Sequence, residues 1–365
     1  MDLTLTEEQR ILFDSVSRLA SDLAGAEAAA IRAALVDLGL TELGLDPQDP
    51  MIAEGVLVAE ALGKARLAHP YVFTHLGAAR ALAGQPGFEA LAGRIASGAA
   101  VLAPALYEPG RRYTLTPEGC VLAGGRLDGV KAVVMGGDVA TDLLVSARDR
   151  AGQVVLAVIG VSTPGVTRRP FAALDGRGGA ELRFAGVAVD DAAILARGPE
   201  AEACLVAMVE RIGAGLVADS LGAMSALMAM TAEHLRTRKQ FGRPIGAFQA
   251  LQHRYVDMSL AHELARSMSV AAARALEFLS GDARARVIAT ARLQAAESGR
   301  KIGEEAIQMH GAMGMTAEYP AGSYLKRLMV NAASFGDADH HLDRLIALGQ
   351  DTTPDAAAAD RSNAA

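Results

Sequence analysis

The sequence predicts a mainly α-helical protein with one small β domain set between two helical regions, and three observations predict it. Apolar residues recur at helical spacing from residue 1 to about 100. Between about 101 and 197 the apolar runs shorten, favour Val and Leu, and are cut by Gly, Pro and Asp. From about 198 to 350 helical periodicity returns in longer elements.

In the 1–100 region, Thr6 followed by Glu7, Glu8 and Gln9 reads as an N-cap and first turn. Ile11, Leu12, Val16, Leu19 and Leu23 then make one apolar face, and V-L-V-A-E-A-L-G and A-L-A-G-R-I-A-S-G repeat the pattern. In the 101–197 region six runs read as strands: V-L-A-P-A-L-Y, C-V-L-A-G-G, K-A-V-V-M, D-L-L-V-S-A, Q-V-V-L-A-V-I-G-V and A-E-L-R-F-A-G-V-A-V. Six short strands in about ninety residues predict a small antiparallel barrel or sandwich. In the 198–350 region helices are expected at 204–238, 248–279, 283–313 and 337–349, joined at Gly- and Pro-rich stretches, and an up-and-down four-helix bundle is their natural packing. The polar, Ala-rich tail 351–365 is expected to be disordered.

Composition narrows the partners. With 51% apolar and 21% charged residues, the 365-residue chain is expected to be globular. Its net charge is −7 and its Lys and Arg are scattered, which argues against nucleic acid. Cys120 and Cys204 lie far apart without CxxC spacing, and the acidic start M-D-L-T-L-T-E-E-Q-R is unlike a secretory signal, so a reducing, cytoplasmic location is expected. The most apolar stretch, Cys204 to Met230, carries Glu210, Arg211 and Asp219, as a buried helix rather than a membrane span would.

The densest group of chemically active side chains is S-F-G-D-A-D-H-H-L-D-R-L, residues 334–345, which holds Asp337, Asp339, His340, His341 and Asp343. A metal site needs ligands converging from more than one element, and no second cluster accompanies this one, so no metal is expected.

Two long segments, L-R-T-R-K-Q-F-G-R-P-I-G-A-F-Q-A-L-Q-H at 235–253 and A-I-Q-M-H-G-A-M-G-M-T-A-E-Y-P at 306–320, closely resemble the signature segments of the acyl-CoA dehydrogenase flavoprotein family. With E-E-Q-R at the start and A-L-Y-E-P-G at 105–110, the resemblance covers nearly the whole chain. It implies that family's fold, of N-terminal helical domain, central β-barrel and C-terminal four-helix bundle. It also implies FAD as cofactor, an acyl-CoA substrate dehydrogenated between Cα and Cβ, and an electron-transfer flavoprotein as oxidant. In the family these segments reach the FAD of a neighbouring subunit, so a homo- or hetero-oligomer, a dimer of dimers, is implied. The short F-G-D-A-D-H-H-L-like ending resembles a bacterial branch acting on bulky sterol- or ring-derived thioesters, often built from two paralogous subunits.

The residue types suit that chemistry. Arg238 offers a planar donor fork to a pyrophosphate, and Phe241 an apolar face to a ring system. Gln249 and Gln308 supply neutral donors and acceptors, and Gly311 permits close backbone approach. Removal of the α-proton needs a carboxylate base. Laying R-L-I at 344–346 on the family's last helix puts Asp337 at the position of its usual Glu, shorter by about 1.5 Å, one carbon–carbon bond. Asp339 and His341 fall where the family contacts FAD. Glu210 is the rival base; an ion pair with a neighbouring Arg is its structural alternative. The family's T-E-P-G-A-G-S-D is Y-E-P-G-R-R-Y-T here, and its Trp-bearing strand is K-A-V-V-M-G-G. Two other functions stay open: a non-catalytic partner subunit of a heteromeric dehydrogenase, and an Asp-based flavin oxidase resembling nitroalkane oxidase.

Overall fold

A computed structural model describes residues 5–316 and 318–350, with helices before and after a single large sheet in chain order. The first helices are α1 (Glu7–Asp22), α2 (Ala28–Asp37), α3 (Ile52–Lys64) and α4 (Glu89–Ala96), with a π-helical segment Val72–Ala78 running into a 3-10 turn, Ala79–Leu82. The expected cap forms at α1: Thr6 Oγ1 accepts from the Gln9 N–H at 3.1 Å, and Gln9 Oε1 accepts from the Thr6 N–H at 3.2 Å. Val16 and Ala20 are buried as the period requires, whereas Ile11 of the expected apolar face is 58% exposed.

The strands are β1 (Leu102–Ala105), β2 (Val121–Ala123), β3 (Arg126–Met135), β4 (Asp142–Arg148), β5 (Val154–Gly160), β6 (Val166–Ala172), β7 (Gly178–Ala188) and β8 (Ile194–Arg197). They are ordered β6-β7-β3-β2-β4-β5-β8, with β1 beside β4. Most ladders are antiparallel as expected, but β1–β4 and β2–β4 run parallel, so the sheet is mixed. The connections from β1 to β2 and from β2 to β4 keep the chain direction, as parallel neighbours require. β6 and β8 escape the sequence patterns. β6 is an edge strand with almost every side chain exposed, which is where its Pro170 is tolerated, and β8 has only four residues.

The remaining helices are α5 (Gly198–Thr237), α6 (Gln249–Phe278), α7 (Gly281–His310), α8 (Ala321–Ala333) and α9 (Ala338–Gln350). A two-stranded hairpin, β9 (Lys239–Gln240) and β10 (Arg243–Pro244), joins α5 to α6. α5 is long and apolar enough to cross a membrane, but 83% of its most apolar window is buried inside the fold. α8 lies between the third and fourth expected helices and adds a fifth to the bundle. The tail expected to be disordered, 351–365, lies outside the described residues.

A buried ionic network fastens the sheet to the bundle. Arg327 of α8 donates to both carboxylate oxygens of Asp219 on α5, at 2.8 and 2.7 Å, and to Asp175 of the β6–β7 turn at 3.3 Å. Asn331 donates to Asp219 at 2.6 Å and accepts from Arg177 at 2.6 Å.

Glu60 of α3 faces the gap towards α1 and α6, and burial pushes its carboxyl up from 4.5 to about 7, against the pull of Lys64 and Arg266. A raised carboxyl favours the folded state below its unfolded value, and that contribution is lost as pH rises through about 7. The effect is at most about 3 kcal/mol. Glu60→Gln should therefore raise the melting temperature at pH 8 and leave it nearly unchanged at pH 4.5, read by calorimetry at both values.

Candidate active site

A cleft of about 490 Å³ opens between the sheet and the α8–α9 turn, lined by Tyr107, Gly110, Arg112, Tyr113, Val133 and Phe335 among others. Arg112 and Tyr113 belong to Y-E-P-G-R-R-Y-T and Val133 to K-A-V-V-M, so the two stretches that depart from the family pattern form one wall. Phe335 stacks on Phe73 at 5.5 Å and meets Tyr107 edge-on at 5.3 Å. Arg177 of the buried network lies over Phe73 at 5.2 Å, so the ion network backs the aromatic wall.

Backbone strain collects here. Arg112, Val133 and Phe335, with φ of 44°, 54° and 58°, are three of the six non-glycine residues at positive φ among the described residues. A β-branched residue there is a true outlier. Val133 sits at a register shift between Lys131 and Val134 that leaves it 60% exposed. Such conformations cost about 1–3 kcal/mol each, persist only where their surroundings impose them, and gather at functional sites.

Glu108 of the same segment is structural. It accepts from the N–H groups of Glu118, Gly119 and Cys120 at 3.0, 2.7 and 2.9 Å and from Lys131 Nζ at 3.2 Å. Burial raises its carboxyl, but the Gly119 N–H and Lys131 outweigh this and hold it below the ordinary range.

Asp337 lines a neighbouring cavity of about 440 Å³ between α7 and α8, touching the cleft only through the wall residues it bonds, and caps α9: its Oδ1 accepts from the His340 N–H at 2.9 Å. Its Oδ2 accepts from Arg112 Nη2 at 2.6 Å and from Tyr113 Oη at 3.4 Å. Gly336, at φ +119°, makes the turn, and a Cβ there would lie 2.6 Å from His341 Nε2. Arg292 of α7 holds this turn from beneath, donating to the carbonyls of Asn331, Ser334 and Gly336 at 2.9, 2.7 and 3.0 Å and to His341 Nε2 at 3.3 Å. It is 3% exposed, and burial brings its guanidinium down to about 10.

His341, read from the sequence as a flavin contact, is thus buried under α9, and burial together with Arg292 pulls its imidazole down to about 3. It is neutral at any physiological pH and acts as an acceptor for Arg292. Asp339 is exposed in the first turn of α9, where a negative charge suits the helix dipole. Glu210 is 1% exposed and clamped by Arg284 at 2.6 Å and Arg344 at 3.1 Å, the ion-pair alternative.

The other candidates gather elsewhere. Arg238 ends α5, Phe241 tips the hairpin, Gln249 opens α6, and Gln308 and Gly311 close α7. His234 stacks on His310 at 4.5 Å, which brings these termini together. Phe241 is 90% exposed at φ 52°. Arg238, Gln249 and Gln308 are exposed, with no side-chain partner among the described residues. Gly311 adopts φ 60°, ψ −141°, a region essentially confined to glycine. A cationic fork, two amides, a bare aromatic face and a glycine turn match the chemistry of a dinucleotide, so the donor set fits FAD. Along α7, Arg292 beneath the Asp337 turn and His310 at this second group lie 18 residues apart, roughly 27 Å at 1.5 Å per residue.

Sequence reasoning missed Arg112, Tyr113, Val133 and Arg292. The first three carried a signal, since they stand where the family pattern breaks.

A family model described as acyl-CoA dehydrogenase, C-terminal domain, matches residues 206–347. Acyl-CoA dehydrogenase FadE27 of Mycobacterium tuberculosis is 31% identical over 325 residues, covering 80% of this chain and 80% of that protein. Acyl-CoA dehydrogenase IpdE2 of the same organism is 38% identical over 112 residues, a match spanning 31% of this chain and 33% of that relative's length. Among solved structures, the ChsE4-ChsE5 complex from Mycobacterium tuberculosis superposes with a TM-score of 0.84 at 27% identity, covering 97% of this chain and 100% of that one. The Tcur3481-Tcur3483 steroid ACAD gives 0.85 at 26%, covering 95% and 99%.

Proposed function

The chain belongs to the acyl-CoA dehydrogenase family, and from that premise we propose that it carries out FAD-dependent α,β-dehydrogenation of a bulky, sterol- or ring-derived acyl-CoA thioester as one subunit of an oligomer. The observation that carries this reading is the strained cleft whose wall residues Arg112 and Tyr113 hold the Asp337 carboxylate. Asp337 is its base. The His340 N–H fixes Oδ1 and aims the carboxylate, while Oδ2 receives the α-proton once Arg112 swings aside. The Arg112 side chain is 74% exposed, so releasing this pair costs little, about 0–1 kcal/mol. When bound, the flavin supplies the hydride acceptor, and an electron-transfer flavoprotein reoxidises it. The bulky substrate class is supported by the likeness to a steroid ACAD.

A second reading, a non-catalytic subunit beside a catalytic paralogue, is favoured by one observation: both oxygens of Asp337 already have partners within the chain. Flavin absorbance of the chain purified alone and co-expressed with its paralogue, followed by anaerobic bleaching with a panel of CoA esters, separates the two. Bleaching that depends on Asp337 supports the first, bleaching indifferent to it supports the second, and no flavin in either preparation overturns both. The unpartnered group at the far end of α7 should bind the cofactor, so Arg238→Ala should lower flavin retention at least tenfold on dialysis, with a melting temperature within a few degrees of the parent.

A further inference from the structure

The helices α1, α3, α5 and α6 enclose a separate pocket. Its volume is about 170 Å³, and it is walled by Phe13 of α1, Ala53, Val56 and Leu57 of α3, Leu221 of α5 and Val270 and Ala273 of α6. It shares no lining residue with the cleft beside Asp337. Five polar side chains also line it: Gln9, Arg266 and Arg274 are bonded to Glu54, Glu263 and Glu277, and the remaining two are Glu60 of α3 and Ser269 of α6. Neither has a hydrogen-bond partner among the described residues, although Ser269 is only 4% exposed.

Their oxygens are therefore free to bond a molecule held in the pocket. The pair also has a shape. An acid that accepts and a hydroxyl that donates complement a ligand hydroxyl, which does both. The nearby cations are already engaged. Arg266 pairs with Glu263 at 2.7 Å and Arg274 with Glu277 at 3.2 Å, and Lys64 lies 5.8 Å over the Phe13 ring. A neutral polar head therefore fits better than an anion or a second cation. For size, an apolar cavity of about 150 Å³ holds a benzene ring.

We infer that this pocket is a binding site for a small apolar alcohol, a single ring or a chain of similar bulk, whose hydroxyl donates to Glu60 and accepts from Ser269 Oγ. It stands apart from the dehydrogenation site and does not depend on that reading. The probe is phenol, titrated calorimetrically into the full chain beside toluene, benzylamine and benzoate. Phenol should bind at least tenfold more tightly than each of the other three. Glu60→Leu, which removes the acceptor, should bring the phenol-to-toluene ratio below about threefold, and Ala53→Phe, which fills the pocket, should abolish both. Equal binding of phenol and toluene, tighter binding of benzylamine or benzoate, a preference that survives Glu60→Leu, or no binding of any probe would overturn it. Far-ultraviolet circular dichroism of both variants reports whether they fold, and chemical shifts of Glu60 and Ser269 in the parent locate the ligand without either substitution.

Discussion

Asp337→Asn is expected to slow anaerobic bleaching of the bound flavin by a CoA thioester by two to four orders of magnitude, the range that a positioned general base contributes. The substitution isolates the chemistry because Asn caps helices as well as Asp, so the bond from the His340 N–H survives. What is lost is the proton acceptor and the charge facing Arg112, an exposed pair whose contribution to stability is about 1 kcal/mol or less. Stability in urea should change by no more than that. A companion variant, Arg112→Gln, removes the competitor for Oδ2 and should leave bleaching equal to or faster than the parent. Bleaching by Asp337→Asn at the parent rate would rule out the base and leave the partner-subunit reading standing.

Arg327→Met should destabilise the fold by about 3–5 kcal/mol, because it removes the two-pronged cationic partner of the buried Asp219 and leaves that carboxylate the Asn331 amide, while Asp175 keeps Arg177. The double variant Arg327→Met, Asp219→Asn should recover part of the loss, and the two together form a cycle readable by urea denaturation. Acid gives an independent check. Burial tends to raise the Asp219 carboxyl, but Arg327 outweighs it and holds the group below its ordinary 3.8. Its stabilising contribution is therefore present above about 3.8 and is lost as pH falls further, a loss the double variant should not share. A destabilisation under 1 kcal/mol would mean that water or rearrangement satisfies the Asp219 carboxylate. The aromatic wall rests on the same network through Arg177 and Phe73, so flavin fluorescence should also broaden in the single variant.

The helices were legible because burial follows their period, as Val16 and Ala20 of α1 do, and because Thr6 and Gln9 form a cap within four residues. β6 was not, since an edge strand with exposed side chains carries no alternation to read. Glu210 was legible as a candidate ion pair, though not its two partners, which come from positions 74 and 134 residues away. The same limit hid the Asp337 site. Its identity came from a local match, but Arg112 lies 225 residues earlier, and only folding brings the two together. The bond of His341 to Arg292 was hidden for a related reason: its neighbour is invisible in the local sequence, and a His in a polar run looks exposed until a buried cation beneath it is known.

The roughly 27 Å of α7 between the Asp337 turn and the group around Arg238 and Phe241 has a consequence in mass action. If each flavin draws on the first group of one subunit and the second group of another, association and cofactor retention become linked equilibria. Dilution would then bleed flavin from the protein, added FAD would drive subunits together, and the melting temperature would climb with protein concentration even at saturating cofactor.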